Sequence, residues 1–215
     1  REVMAVEGES LVSEGKYPFS SPEFLAALAR GMERFRRLRE ARYAPKARLE
    51  DMDESGCDVQ ILYPTVGGQL LGREFRDTDL LAACCRAYND WSAEIFSPYP
   101  ERFAVAAIIP MLDIQAACDE IKRVHDIGHR SLFLPAQVPS RPYNDPAYDA
   151  VWGLVQELEI PLTFHAGTGH EPRVERGPGG AVINYLLGAQ LDGAHILLYF
   201  AAGGVLDRFP ELELV

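Results

Sequence analysis

Ile160-Pro-Leu-Thr-Phe-His165-Ala-Gly-Thr-Gly169 is the stretch on which the reading of this chain turns. An apolar run of strand character ends in a histidine, and small residues follow at once. In parallel α/β proteins, ligands bind beyond the carboxyl ends of the strands. A histidine there faces the site from a rigid mount, and the small residues after it keep the approach open. Imidazole is also the commonest protein ligand for a transition metal. The competing reading is a core histidine whose ring nitrogens bond to backbone.

Outward from this segment, apolar runs of strand length alternate with helical patterns. Strands are expected at about 58–63, 103–109, 130–135, 160–165 and 212–215, and they are nearly continuous in apolar character, as strands covered on both faces should be. A short hairpin (Val3 to Val6, then Leu11 to Val12) precedes a helix from Pro22 to Arg42 with Ser21 as its N-cap. A second helix from Pro45 stops at Gly56. Asp77 to Phe96 is amphipathic through Leu81, Cys84, Tyr88, Trp91 and Ile95. Asp113 to Gly128 turns Ile114, Ala117, Ile121 and Val124 to one side. A third such face, Tyr148, Val151, Trp152, Val155 and Leu158, follows Asp145-Pro146. Helical stretches from about Ala181 and from Ala194 to Leu206 complete the pattern.

Repeated βα units with parallel strands suit a (β/α)8 barrel of the TIM type, which takes about 250 residues. Five expected strands of eight leave that barrel incomplete within residues 1–215, read as one domain. An open, doubly wound sheet is the other arrangement.

The formal charge of −11 argues against nucleic acid and anionic membrane surfaces as partners. No apolar run approaches the roughly 20 residues that span a bilayer. The basic run Arg30, Arg34, Arg36, Arg37, Arg39, Arg42, Lys46, Arg48 reads as a solvated helix face. Cys57, Cys84, Cys85 and Cys118 show no metal or disulfide spacing, so reduced thiols in a cytoplasmic protein are expected. His125 and His129 flank a helix C-terminus, where a cation is favourable for structural reasons alone. Unpaired strand edges in a partial barrel predict a homo-oligomer.

Several phrases occur here in a telling order. Tyr63-Pro-Thr65 ends a strand, and Asn144-Asp-Pro-Ala-Tyr148 precedes the tryptophan helix. Ile160 to His165, Arg176-Gly-Pro-Gly-Gly180 and Gly204-Val-Leu-Asp-Arg-Phe-Pro-Glu-Leu212 follow. Together, from about Leu49 to Val215, they resemble the amidohydrolase-related family, in the branch that includes aminocarboxymuconate-semialdehyde decarboxylase. The resemblance implies a (β/α)8 barrel with a divalent metal at its C-terminal mouth: zinc first, manganese or iron as alternatives. It implies hydrolysis or non-oxidative decarboxylation of a small carboxylated or aromatic compound. His165 matches the family's metal-ligand histidine in mid-barrel. No His-x-His pair occurs in the 215 residues, so the remaining ligands are not carried over, and no residue is assigned as general acid or base.

Four further residues are substrate-binding candidates. Arg176 stands before glycines whose exposed N–H groups favour anions, and its guanidinium suits a carboxylate. His170 lies five residues past His165 across a Gly-Thr-Gly turn. Tyr63 and Thr65 end another strand on the same mouth. A catalytically degenerate barrel that binds a ligand or partner is the alternative, motivated by the missing His-x-His.

Overall fold

The structure is a computed structural model that describes residues 5–6, 9–10, 36, 40–42, 44–73, 75–165, 168 and 178–215. Two strands near the start, β1 (Ala5–Val6) and β2 (Glu9–Ser10), pair antiparallel. This is the expected hairpin, with its second arm two residues earlier. The helix expected over 22–42 falls mainly outside the described residues. Arg36 and Glu40 are helical there and form an exposed ion pair of 3.2 Å.

From Pro45 onward strands and helices alternate. Helix α1 (Pro45–Ser55) has proline in its first turn and ends at Gly56, whose φ of 68° is the left-handed conformation expected of a C-terminal stop. Strand β3 (Gln60–Leu62) leads through Pro64 into a short helix, α2 (Thr65–Leu71). Helices α3 (Thr78–Phe96) and α4 (Ile114–Asp126) are each opened by an aspartate. The Asp77 side chain accepts from Leu80 N–H, and that of Asp113 accepts from Ala116 N–H. Between them runs β4 (Phe103–Ile108), and β5 (Ser131–Pro135) follows. A 3-10 turn (Pro146–Tyr148), again capped by an aspartate, enters α5 (Asp149–Glu157). Then come β6 (Leu162–His165), α6 (Gly180–Tyr185), a π-helical turn (Leu186–Gln190), α7 (Leu191–Ala201) and α8 (Val205–Arg208).

The four later strands form one parallel sheet in chain order, β3-β4-β5-β6. The expected fifth strand is present only as a bridge. Leu214 pairs parallel with Leu162, Leu162 N–H donates to Glu213 C=O, and Val215 N–H donates to Leu162 C=O. Four strands and this bridge make a curled half-barrel. The apolar runs in the sequence overshoot the strands by one to three residues: Ile109 and Ile160 lie past the strands and are still buried, whereas Val59 is exposed.

One face of the sheet and the helices beyond it hold the larger core. Leu132, Leu134 and Leu162 pack with Ile121, Val124, Val151 and Val155. Within that cluster Tyr143, Tyr148, Trp152, Phe164 and Phe200 form an aromatic box, with ring centroids 5.0 Å apart for Trp152 and Phe200. Each polar tip has a partner: Trp152 Nε1 donates to Tyr143 C=O, Tyr143 OH to Pro135 C=O and Tyr148 OH to Met111 C=O. Burial pushes the Tyr148 phenol up to about 12 and that of Tyr143 well above its ordinary range. The tryptophan helix is therefore core, as its periodicity predicts.

Helix α3 departs from expectation in its rotation. Its buried side is Leu81, Ala82, Cys85, Asn89, Ser92 and Phe96, whereas Trp91 is 49% exposed. Apolar spacing misplaces this stripe because its centre is polar. Asn89, fully buried, donates to Ile108 C=O (2.9 Å) and to Glu120 (2.7 Å) and accepts from Ile108 N–H (2.9 Å). β3 pairs with β4 only as far as Leu62 opposite Val105, so beyond that point this amide takes the place of a strand. Arg123 holds the other side of Glu120 and pairs with Asp90. His129, 5% exposed, packs its ring nitrogens 3.1 Å from the carbonyls of Val105 and Asn89, a structural position as expected for it.

Candidate functional site

Strand alternation decides what reaches the mouth. The register puts Ile61 beside Ala104, Ile108 beside Phe133, Phe133 beside Thr163 and Pro135 beside His165. With a period of two, Tyr63, Phe133 and His165 lie on one face at or near the carboxyl ends of their strands. Their rings meet: Tyr63 and His165 are 6.5 Å apart edge to face, Phe133 and His165 5.9 Å, and Tyr63 and Phe133 5.9 Å. Phe133 is 1% exposed and makes the floor. Tyr63 is 38% exposed and His165 is exposed, so both reach solvent. His165 is not walled in by hydrocarbon.

Helix α2 crosses beside this group. Leu70 and Leu71 pack with Ala106, Ile108 and Phe133, with Leu81 and Cys85 of α3 in the same cluster. Close approach requires glycine here. A Cβ at Gly68 would stand 2.9 Å from the Phe133 ring, and one at Gly72 would fall 1.8 Å from the Thr168 carbonyl oxygen. Thr65 is the exposed first residue of this helix, two positions beyond Tyr63. His170 and Arg176 lie outside the described residues.

Two features escaped the sequence reading. Thr168, read there only as part of a small-residue turn, is 6% exposed and bonded to both neighbouring strand ends. Its signal was available as the one hydroxyl among the small residues after His165. Gln137, two residues past β5, lies 3.2 Å from His195 Nδ1 and 3.5 Å from Asp192, which is 3% exposed. The spacing of Asp192 and His195 by three on one helix was the clue. Among the described residues, no three His, Cys, Asp or Glu side chains converge in a metal-holding group, and no helix is long and apolar enough to cross a membrane.

A parallel half-barrel with a solvent-facing histidine at a strand end is the architecture of one side of a (β/α)8 barrel and its mouth. A family model for amidohydrolases matches residues 35–215, and the chain belongs to that family. Its curated relatives include the decarboxylase orsB of Emericella nidulans, 28% identical over 181 residues that cover 78% of this chain and 51% of that protein. A gamma-resorcylate decarboxylase from Rhizobium sp. is 28% identical over 187 residues, covering 78% and 53%. Among solved structures, a 2,6-dihydroxybenzoate decarboxylase from Rhizobium superposes with a TM-score of 0.63 at 26% identity, covering 78% of this chain and 53% of that one. A dihydroxybenzoic acid decarboxylase from Polaromonas sp., with bound manganese and the inhibitor 2-nitroresorcinol, has a TM-score of 0.64 at 24% identity, covering 79% and 53%. The chain thus spans about half the length of the curated relatives it matches. These likenesses establish the barrel, incomplete within the described residues, over the open doubly wound sheet.

Proposed function

We propose that the protein containing this chain is a metal-dependent, non-oxidative decarboxylase of a small aromatic carboxylate, and that residues 1–215 form one domain carrying one side of its site. The observation that carries the reading is the His165 imidazole, exposed at the end of β6 beside the rings of Tyr63 and Phe133. Decarboxylation is favoured over hydrolysis by the curated relatives, which are decarboxylases.

The donor chemistry fits a divalent ion in part. An imidazole at a rigid strand end is a good ligand, but a catalytic site takes about three protein ligands. His165 would therefore act with donors from beyond the described residues. A divalent ion bound there polarises a substrate oxygen and so stabilises developing negative charge. Zinc or manganese suits such a site, and manganese is the ion in the Polaromonas neighbour.

This chain's residues do the rest by shape and polarity. Tyr63 presents an aromatic wall against which a substrate ring can stack or meet edge-on, and the buried Phe133 ring backs it. The Tyr63 hydroxyl and Thr65 offer hydrogen bonds at the rim, and Arg176 and His170 would hold the carboxylate. The partner is thus a small acid. Exposed Val182, Ile183, Leu186, Leu191, Leu197 and Leu198 support a homo-oligomer, and four free cysteines support the cytoplasm.

The test uses the whole protein that carries this sequence. Metal analysis should find about one divalent ion per chain. The protein should consume 2,6-dihydroxybenzoate with release of carbon dioxide, followed by ultraviolet absorbance. His165→Ala should remove the ion and more than about 100-fold of turnover. Unchanged turnover in metal-free protein carrying that substitution would refute the proposal.

A further inference from the structure

We infer that Thr168 is a positioning residue for His165: its hydroxyl clamps the ends of β5 and β6 together where the imidazole leaves the sheet. This rests on His165 being the ion-facing residue proposed above.

The geometry is specific. The β5–β6 ladder ends at Pro135 opposite His165. One residue further along β5, Ala136 N–H donates to Thr168 Oγ1 at 2.8 Å, and that hydroxyl donates in turn to the carbonyl of His165. Thr168 N–H donates to the same carbonyl at 3.3 Å. The hydroxyl thus uses its one proton and a lone pair between two strand ends, in a place that is nine-tenths buried. The result is a continuation of the sheet beyond its last paired residues, made by a side chain.

Helix α2 closes on the same residue. The Thr168 methyl lies 3.4 Å from where a Cβ of Gly68 would be, and its carbonyl oxygen occupies the space a Cβ of Gly72 would need. Thr168 is therefore held between β5, β6 and the helix that begins at Thr65. Fixing the His165 peptide plane fixes its Cα–Cβ direction, and through it the aim of the ring. Without the hydroxyl, the bridge between Ala136 N–H and the His165 carbonyl is lost, and that carbonyl keeps the longer bond from Thr168 N–H. A misplacement of about 1 Å at a reacting centre can cost about 100-fold. Partners one step removed from a ligand typically contribute about 10–100-fold in metal affinity.

The comparison is between Thr168→Val, which keeps the shape and loses both hydroxyl bonds, and Thr168→Ser, which keeps them. In the whole protein, the dissociation constant for Mn2+, measured by competition with a chelating dye, should rise about 10-fold or more in the valine variant. It should stay within about 3-fold in the serine variant. The His165 ring resonances of metal-free protein, assigned by their loss in His165→Ala, should shift or broaden with valine and not with serine. Gly72→Ala retains the hydroxyl but displaces the Thr168 backbone that carries it, and should move both readouts the same way, which covers the case in which Thr168→Val fails to fold. Valine that binds Mn2+ and shows His165 signals like the parent, or serine as impaired as valine, overturns the clamp. If His165→Ala leaves Mn2+ affinity unchanged, the proposed metal role falls, while the ring resonances still decide the clamp.

Discussion

Replacing Asn89 by leucine tests whether a single amide holds the outer side of the sheet together. The substitution keeps the branched shape, exchanges the amide oxygen and nitrogen for bulkier methyl groups, and deletes three hydrogen bonds from a residue with no exposed surface. Ile108, 1% exposed, is left with an unpaired N–H and an unpaired C=O, because β3 has already ended. Each such group costs about 1–3 kcal/mol when buried without a partner. Glu120 loses one donor but keeps Arg123. The apolar leucine recovers about 1–2 kcal/mol by burial. The net loss is about 1–4 kcal/mol, a sizeable part of the roughly 5–15 kcal/mol typical of a folded domain. Urea unfolding followed by circular dichroism should show a lower midpoint at an unchanged slope. Trp91→Ala, on the 49% exposed side of the same helix, should cost about 1 kcal/mol or less. An Asn89→Leu loss below about 1 kcal/mol, or below that of Trp91→Ala, would refute the surrogate-strand argument.

Two further outcomes follow from burial and from helix composition. Burial holds the phenols of Tyr88 and Tyr148 up to about 12 and raises Tyr143 well above its ordinary range, so the folded state keeps protons that the unfolded state releases near 10. Their contribution is full below about pH 10 and is lost as pH rises toward 12. Absorbance at 295 nm should show these three tyrosines ionising only together with unfolding. Gly193 lies inside α7 with nothing within 4 Å of the position its Cβ would take. Gly193→Ala should therefore stabilise by about 0.5–1 kcal/mol, a rise of about 1–4 °C in Tm by calorimetry.

Much of the fold was legible because the central strands β4 and β5 run nearly unbroken in apolar residues and the helices carry clear caps. Asp77, Asp113, Asp145 and Gly56 each mark a boundary that the structure keeps within a residue. The rotation of α3 was not legible, since its buried centre is Asn89 and no count of apolar residues would choose an asparagine. At the site, the strand-end position of His165 and the nearness of Tyr63 could be read from strand endings alone. Phe133 could not, because its place on the floor depends on register between β5 and its neighbours, which no local pattern encodes. Thr168 lay in plain view within the quoted stretch. Its role emerges only when Ala136, thirty-two positions away, is brought beside it.

The bridge between Leu162 and Leu214 bears on how firmly the imidazole is mounted. It means that β6 is gripped on both flanks, by β5 on one and by the segment ending at Val215 on the other. A residue mounted on such a doubly supported strand keeps its bearing when surrounding turns are rewritten by insertion or drift. The β6 backbone that carries the imidazole is therefore anchored from either side by main-chain bonds, whatever the length of the turns around it.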